Sequence, residues 1–223
     1  YYDNSGARPV FRNAANGTLR KIGSTGTLTV SGAYGGVHFE NAGMLDIQDG
    51  ELRVDSAHSS VGTAKLKITL GGPVAGSGYT RKLFGGTAQL GGQLIASFKN
   101  GYVPTPGTRF DVVTYGGRNG TFSTIALPTL SGPFRWKVNY DATSLAIEYL
   151  EAHALDDVSI APDGSFQAEL SGPAAASAAL QATTNFVDWI TVETVTPFDG
   201  RHNFVDPAAG SQSARFYRIQ ITE

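Results

Sequence analysis

Short units of the form Gly-x-Leu, each opening a run of alternating apolar and polar residues, constrain the fold more than any other feature of the chain. They read NGTLRKI (16–22), TGTLTV (25–30), AGMLDI (42–47) and DGELRV (49–54), with weaker copies GGTAQL (85–90) and GGQLIA (91–96). A longer unit contains them: FRNAANGTL (11–19) matches FENAGMLDI from Phe39 onward once two inserted residues are allowed. Gly17 and Gly43 are 26 residues apart, and Gly26 and Gly50 are 24 apart. Strand-like repeats with a period of roughly 20–50 residues are the mark of a solenoid.

Within each unit the apolar residues fall on alternate positions: Leu28 and Val30, Leu45 and Ile47, Leu52 and Val54, then Leu66, Ile68 and Leu70. Side chains of a strand alternate between its faces, so Thr27, Thr29, Asp46, Gln48, Glu51, Arg53, Lys65 and Lys67 point the other way. One such strand cannot bury its apolar side, whereas coils stacked in register cover one another. The glycine before each strand is expected to supply the positive φ of a sharp corner. The competing arrangement is a meander of hairpins, for which Asp49-Gly50 is the best turn signal.

The composition suits this reading. The chain has 223 residues, 28 of them glycine, and only 16% are charged, which favours short strands and tight turns over helices. The net charge of -2, without a long run of one sign, leaves no electrostatic footprint for nucleic acid. No apolar run approaches the roughly 20 residues needed to span a bilayer. Cysteine is absent, so disulfides and thiolate chemistry are excluded. The opening YYDNSGARPVF lacks the basic and apolar regions of a signal peptide and reads as the interior of a longer protein.

FRNAANGTLRKIGSTGTLTVSG and VHFENAGMLDIQDGELRV resemble the coils of bacterial secreted parallel β-helix proteins, including autotransporter-like passengers and β-helix carbohydrate-binding regions. The stretch LIASFKNGYVPTPGTRFDVVTYGGRNGTFSTIALP (94–128) is similar to the closing part of such regions, with Tyr115-Gly116-Gly117 departing from the commoner turn. The likeness covers most of residues 8 to 149. It implies a parallel β-helix and does not specify an activity, because such helices serve as adhesins, lyase scaffolds and binding modules.

Composition changes at EAHALDD (151–157), read as a linker between residues 1–150 and 158–223. Beyond it, GSFQAEL, AALQATTNFVDWITV, RHNFVD and RFYRIQI read as short strands of a small β-sandwich. The segments Gln181 to Trp189, Phe204 to Asp206 and Arg215 to Arg218 resemble those of fibronectin type III-like modules that close many secreted polysaccharide-processing proteins. That likeness implies a spacer or packing role. The fold class expected is therefore all-β: a parallel β-helix followed by a small β-sandwich.

Catalytic constellations are lacking. His38, His58, His153 and His202 are scattered without metal-ligand spacing, and there is no nucleophile elbow or phosphate-cradling loop. A polysaccharide lyase is the enzymatic alternative, with Asp46, Glu51, Arg53 and Asp55 on adjacent coils beside Lys65 and Lys67. The same residues also make an ordinary solvated sheet face, which is the reading favoured. Sugar binding needs exposed aromatic rings with polar groups nearby. Tyr34, Tyr79, Tyr102 and Tyr115 sit in or beside glycine-rich turns and are expected to be exposed, whereas Trp136 and Trp189 are expected in the core.

The leading expectation is a monomeric, non-catalytic module that binds an extracellular polysaccharide of the plant cell-wall, xylan type. It would belong to a larger secreted carbohydrate-active protein with a catalytic domain in the same chain. Contacts would come from Tyr34, Tyr79, Tyr102, Tyr115, Asp46, Gln48, Glu51 and Arg53. No cofactor is indicated, and calcium is left open. The alternatives are a stalk or adhesin segment of a bacterial surface protein and a lyase-like β-helix. Tyrosines aligned along a groove favour binding, scattered ones favour the stalk, and three carboxylates around an open coordination position favour the lyase.

Overall fold

The computed structural model describes residues 9–31, 36–56, 58–60 and 62–223. Contacts divide the chain into two compact units, Tyr1–Leu130 with Trp136–Leu150, and Ser131–Arg135 with Glu151–Glu223.

The first unit is a β-solenoid of about four turns. Its first coil is β1 (Val10–Asn13), β2 (Thr18–Lys21) and β3 (Thr27–Val30), and its second is β4 (His38–Asn41), β5 (Met44–Ile47) and β6 (Glu51–Val54). The third is β7 (His58–Ser60), β8 (Lys65–Leu70) and β9 (Arg81–Phe84), and the fourth β10 (Thr87–Gln89), β11 (Gln93–Phe98) and β12 (Arg109–Thr114). A partial coil follows, with β13 (Gly117–Asn119) and β14 (Thr124–Ala126). Successive coils pair in parallel on three faces: β1-β4-β7, continued by β10-β13; β2-β5-β8-β11-β14; and β3-β6-β9-β12. Asp49-Gly50 is accordingly a corner between two sheets and not a hairpin turn.

The alternation read from sequence becomes columns of side chains inside the coils. Leu19, Leu45, Leu66, Leu94 and Ile125 stack on one face. Phe11 lies on Phe39 with ring centroids 5.7 Å apart, and Phe39 is fully buried. At the corner that follows, the Asn13 side chain donates to Asn41 Oδ1 at 2.7 Å and to the Met44 carbonyl at 3.0 Å. This is why asparagine recurs in the repeat: its amide serves the backbone groups that a corner leaves unpaired, one coil above the next.

The glycines act differently from expectation at two of these corners. Gly17 and Gly43 do not have positive φ; they are required because chain passes too close. A Cβ on Gly43 would lie 2.2 Å from the Ala14 carbonyl oxygen and 2.3 Å from that of Gly17. Gly50, with φ of 67°, does use the left-handed region, as expected.

The solenoid's third face is extended by β16 (Ser144–Glu151), antiparallel to β12, and then by β15 (Phe134–Tyr140). The second unit has two three-stranded antiparallel sheets. One is β17 (Ala154–Ile160), β18 (Phe166–Ser171) and β21 (Arg201–Asp206); the other is β20 (Ile190–Val195), β19 (Ser177–Thr183) and β22 (Phe216–Thr222). Phe166, Ala168 and Leu170 of the first sheet share a hydrophobic cluster with Ala178 and Leu180 of the second. The segment 151–157 corrects the sequence reading: residues 154–157 belong to β17, whose pairing with β18 shifts register between Asp156 and Ser159. That irregularity removes the alternation by which a strand is recognised.

Candidate functional site

The structure places the eight residues proposed as sugar contacts in different environments. Tyr34 lies outside the described residues. Tyr79 is 5% exposed and Tyr115 4% exposed, so neither offers a ring to a ligand. This overturns the expectation drawn from their glycine-rich surroundings. Tyr79 packs edge-on against Phe110 at 5.3 Å, and its hydroxyl accepts from the Asp111 backbone N–H at 3.3 Å. The Tyr115 hydroxyl donates to the Ser144 carbonyl at 2.8 Å, tying β12 to the start of β16. Burial raises the pKa of both phenols. Tyr102 is half-buried and meets Phe98 and Phe110 edge-on at 6.4 and 6.5 Å. A turn explains a tyrosine as well by packing as by binding, because the ring covers the coil while the hydroxyl satisfies backbone groups.

The polar candidates are divided between two faces. On one, Asp46 accepts from Arg20 Nε of the coil before and from Gln48 Nε2, both at 2.8 Å. Asp46 is almost wholly buried, and its Oδ1 has no hydrogen-bond partner. On the other, Glu51 accepts from Thr27 Oγ1 at 2.8 Å and from Arg81 Nε at 2.6 Å, linking three successive coils. Arg53 pairs with Asp55, just past the end of its own strand, at 2.8 Å. Asp46 and Glu51 are thus occupied by neighbouring coils and Arg53 by its own, as in a solvated sheet face.

Sequence reasoning missed a convergence of carboxylates near the end of the solenoid. Arg109 Nη1 donates to Glu148 at 2.8 Å, and Nη2 donates to Asp111 at 2.8 Å and to Asp141 at 2.5 Å. These bonds, with Asp141 foremost and Asp111 next, raise the guanidinium pKa further. Only the antiparallel return of β16 brings them together, so no repeat spacing announces them. A guanidinium fills the centre, and no group of three or more His, Asp or Glu side chains suited to a metal occurs among the described residues.

Two bases lie inside the third coil. Lys82 is 4% exposed, with its ammonium 4.4 Å from the centre of the Phe84 ring, and burial lowers its pKa to about 7. An amine of that pKa is a competent nucleophile, but this one is walled in. It lines a void of about 20 Å³ together with Asn41, Ser60 and Leu66, enough for roughly one water molecule. His58 stacks on Phe84 at 4.4 Å, and its Nε2 accepts from the Gln89 N–H at 3.0 Å. That acceptor role puts the proton on Nδ1, 3.3 Å from the Ser56 carbonyl. Burial first, then the charge on Lys82, lowers its pKa.

The second unit holds the most exposed aromatic surface. Asn185 Oδ1 accepts from the backbone N–H groups of Val187 and Asp188, both at 2.9 Å, fixing a loop in which Phe186 has φ of 60°. A non-glycine residue there is held at a conformational cost. Phe186 projects into solvent beside Phe216, their centroids 4.0 Å apart. Trp189 is half-buried, covered by the Arg218 guanidinium at 4.0 Å, so it is a surface residue of the unit and not of its core. Arg218 also donates to Gln181 Oε1 at 2.8 Å, and Gln181 donates to Gln220 at 2.7 Å. Beneath, Arg215 and the Tyr217 hydroxyl donate to the buried Asp206 at 2.6 and 3.0 Å, while Tyr217 stacks on Phe166 at 3.7 Å. The sequence segments around Asp206 and Arg215 to Arg218 thus form one structural network. Trp136, expected in the core, packs partly buried against the solenoid core and donates from Nε1 to the Pro128 carbonyl at 2.9 Å.

No family model matches the chain, and no curated protein matches it.

Proposed function

We propose that the chain is a non-catalytic structural segment of a secreted or cell-surface protein: a solenoid spacer followed by a fibronectin type III-like β-sandwich. The observation that carries this reading is the pairing of outward charges between coils, with Glu51 held by Thr27 and Arg81 from the coils on either side. The burial of Tyr79 and Tyr115 adds to it, because a sugar platform needs open rings. The carboxylates that converge near the end of the solenoid surround Arg109, so that cluster offers no support for a calcium-dependent lyase reading.

Polysaccharide binding stays as a second reading because of a different surface, Phe186, Phe216 and Trp189 on the second unit, with Gln220 and Arg218 as polar neighbours. Affinity electrophoresis in gels containing xylan, mixed-linkage glucan, mannan or pectin separates the two. The structural reading expects no retardation by any of them. Retardation by one polysaccharide, abolished in folded Phe186→Ala or Trp189→Ala, would replace it with the binding reading.

A further inference from the structure

One core column of the solenoid carries an amine where its neighbours are apolar. Lys82 lies in register between Leu52 of the coil before and Val113 of the coil after, and its side chain is buried. Packing does not call for an ammonium there, since leucine fills the same place one coil earlier. The group lies over the rings of Phe84 and Phe39 and is hydrogen-bonded to none of the described residues. A buried cation without a partner carries a desolvation cost that two aromatic faces offset only in part.

The space beside it supplies donors and no counter-charge. In the asparagine ladder Asn41 Oδ1 accepts from Asn13 of the coil before, so the N–H groups of the Asn41 amide are turned toward the coil after. The residue opposite in that coil is Ser60, too short to form the next rung. The void of about 20 Å³ has Asn41, Ser60 and Lys82 on its wall, so an amide, a hydroxyl and an ammonium converge on it. No Asp or Glu lines it, and the exposed Lys65 joins its lining.

We propose that this void is a binding site for a small monatomic anion of the chloride type, which pairs with Lys82 and stands in for the missing rung of the ladder. The volume is near that of one water molecule, so sulfate and phosphate, with oxygens all round their centres, are excluded. Leu45, Leu66 and Phe84 supply apolar walls that strengthen the pairing. The charged groups around the site favour an anion or are neutral. They are His58 on β7, His38 on β4, whose charge acts on His58, and Lys65 on β8. Arg81, beside Lys82 on β9, is engaged with Glu51 on the outer face. The ion is therefore held best below a pH of about 7, where the Lys82 amine is protonated, and released above it.

Chloride NMR line broadening at pH 6 tests the proposal. The folded chain is expected to broaden the resonance, and Lys82→Met, which keeps the length of the side chain without its charge, to lose half or more of the excess. At pH 8.5 the affinity is expected to be roughly tenfold or more weaker, following the protonated fraction. The melting temperature at pH 6 is expected to be about 2–4 °C higher in sodium chloride or bromide than in sodium gluconate of the same concentration, and the difference to vanish in Lys82→Met. Lys137→Met, at a lysine outside the void, leaves both readouts unchanged. Crystals grown at pH 6 in bromide are expected to show an anomalous peak beside Lys82 Nζ. Broadening and melting that do not distinguish the wild type from Lys82→Met, or a void that holds only water in those crystals, overturn the proposal.

Discussion

The second and third coils occupy equivalent places in one solenoid yet solve their interiors differently. Three matched positions differ: Gly43 against Ala64, Asn41 against Ser60, and Leu52 against Lys82. In the second coil, glycine admits close chain, asparagine extends the ladder from Asn13, and leucine fills the core. In the third, serine is too short to continue the ladder, and the void between Asn41 and Ser60 is where Lys82 lies. The register survives because the neighbouring leucine column, Leu45 to Leu66 to Leu94, is unbroken. A solenoid tolerates a faulty layer if its neighbours are sound, because each layer is stabilised mainly by those adjacent to it.

The comparison is broken most severely at Gly43. A methyl group there meets two backbone oxygens, which cannot swing aside as a side chain would. Gly43→Ala is expected to destabilise the solenoid by about 3 kcal/mol, on the scale of overpacking a core. Gly62→Ala in the third coil, where nothing lies within 4 Å of the added carbon, is expected to be near neutral. Thermal unfolding followed by circular dichroism compares the two, and equal losses would show that close approach is not what demands glycine at position 43.

Lys82 gives the second largest effect, and its sign is specific. The amine titrates near 7 when folded and near 10.5 otherwise, so between those values the unfolded chain binds the extra proton. Stability from this group therefore rises as pH climbs from 7 toward 10.5 and is at its lowest below 7. Lys82→Met is expected to raise the urea midpoint at pH 7 and to flatten its rise toward pH 9. An unchanged slope in the variant would mean that Lys82 reaches solvent or a partner. His58 adds to the same trend at lower pH: its folded pKa lies below the usual 6.5, so further stability is lost as pH falls past that value. Protonation at Nε2 also removes the acceptor for the Gln89 N–H.

Much of this contrast was legible in advance, though not all of it. The columns headed by Leu19 and Leu28 follow from strict alternation, and the repeat that matches FRNAANGTL to FENAGMLDI contains Asn13 and Asn41, although the hydrogen bond that joins them across coils needed the structure. Lys82 was not legible, because RKLF carries the alternation of an outward lysine beside an inward leucine. The register reverses it, pairing Lys82 with Leu52 and Arg53 with Leu83. Tyr79 and Tyr115 failed for a related reason: glycine-rich neighbours report a turn, not which way the ring points. The Arg109 cluster required strand order as well, since β16 enters the sheet antiparallel after the repeats have ended.

Ser60→Asn sharpens the comparison with a smaller effect by giving the third coil the residue of the second. The longer amide can reach toward Asn41 and occupy part of the void. One new buried hydrogen bond is expected to contribute about 1 kcal/mol, read as a rise in melting temperature. A fall would show that the void already holds a water that the amide displaces at a loss.

The outer face should distinguish the coils least. Arg12 pairs with Glu40 at 2.6 Å, but the arginine side chain is 67% exposed. In the third coil the position of Glu40 is held by Ser59, which has no charge to offer. Exposed pairs of this kind contribute about 0.2–1 kcal/mol and are screened by salt. Arg12→Ala is therefore expected to lower the melting temperature slightly at low ionic strength and not measurably in half-molar salt. A loss that persists in salt would assign Arg12 a packing role through its aliphatic stem. The contrast between the coils would then extend from their interiors to their outer face.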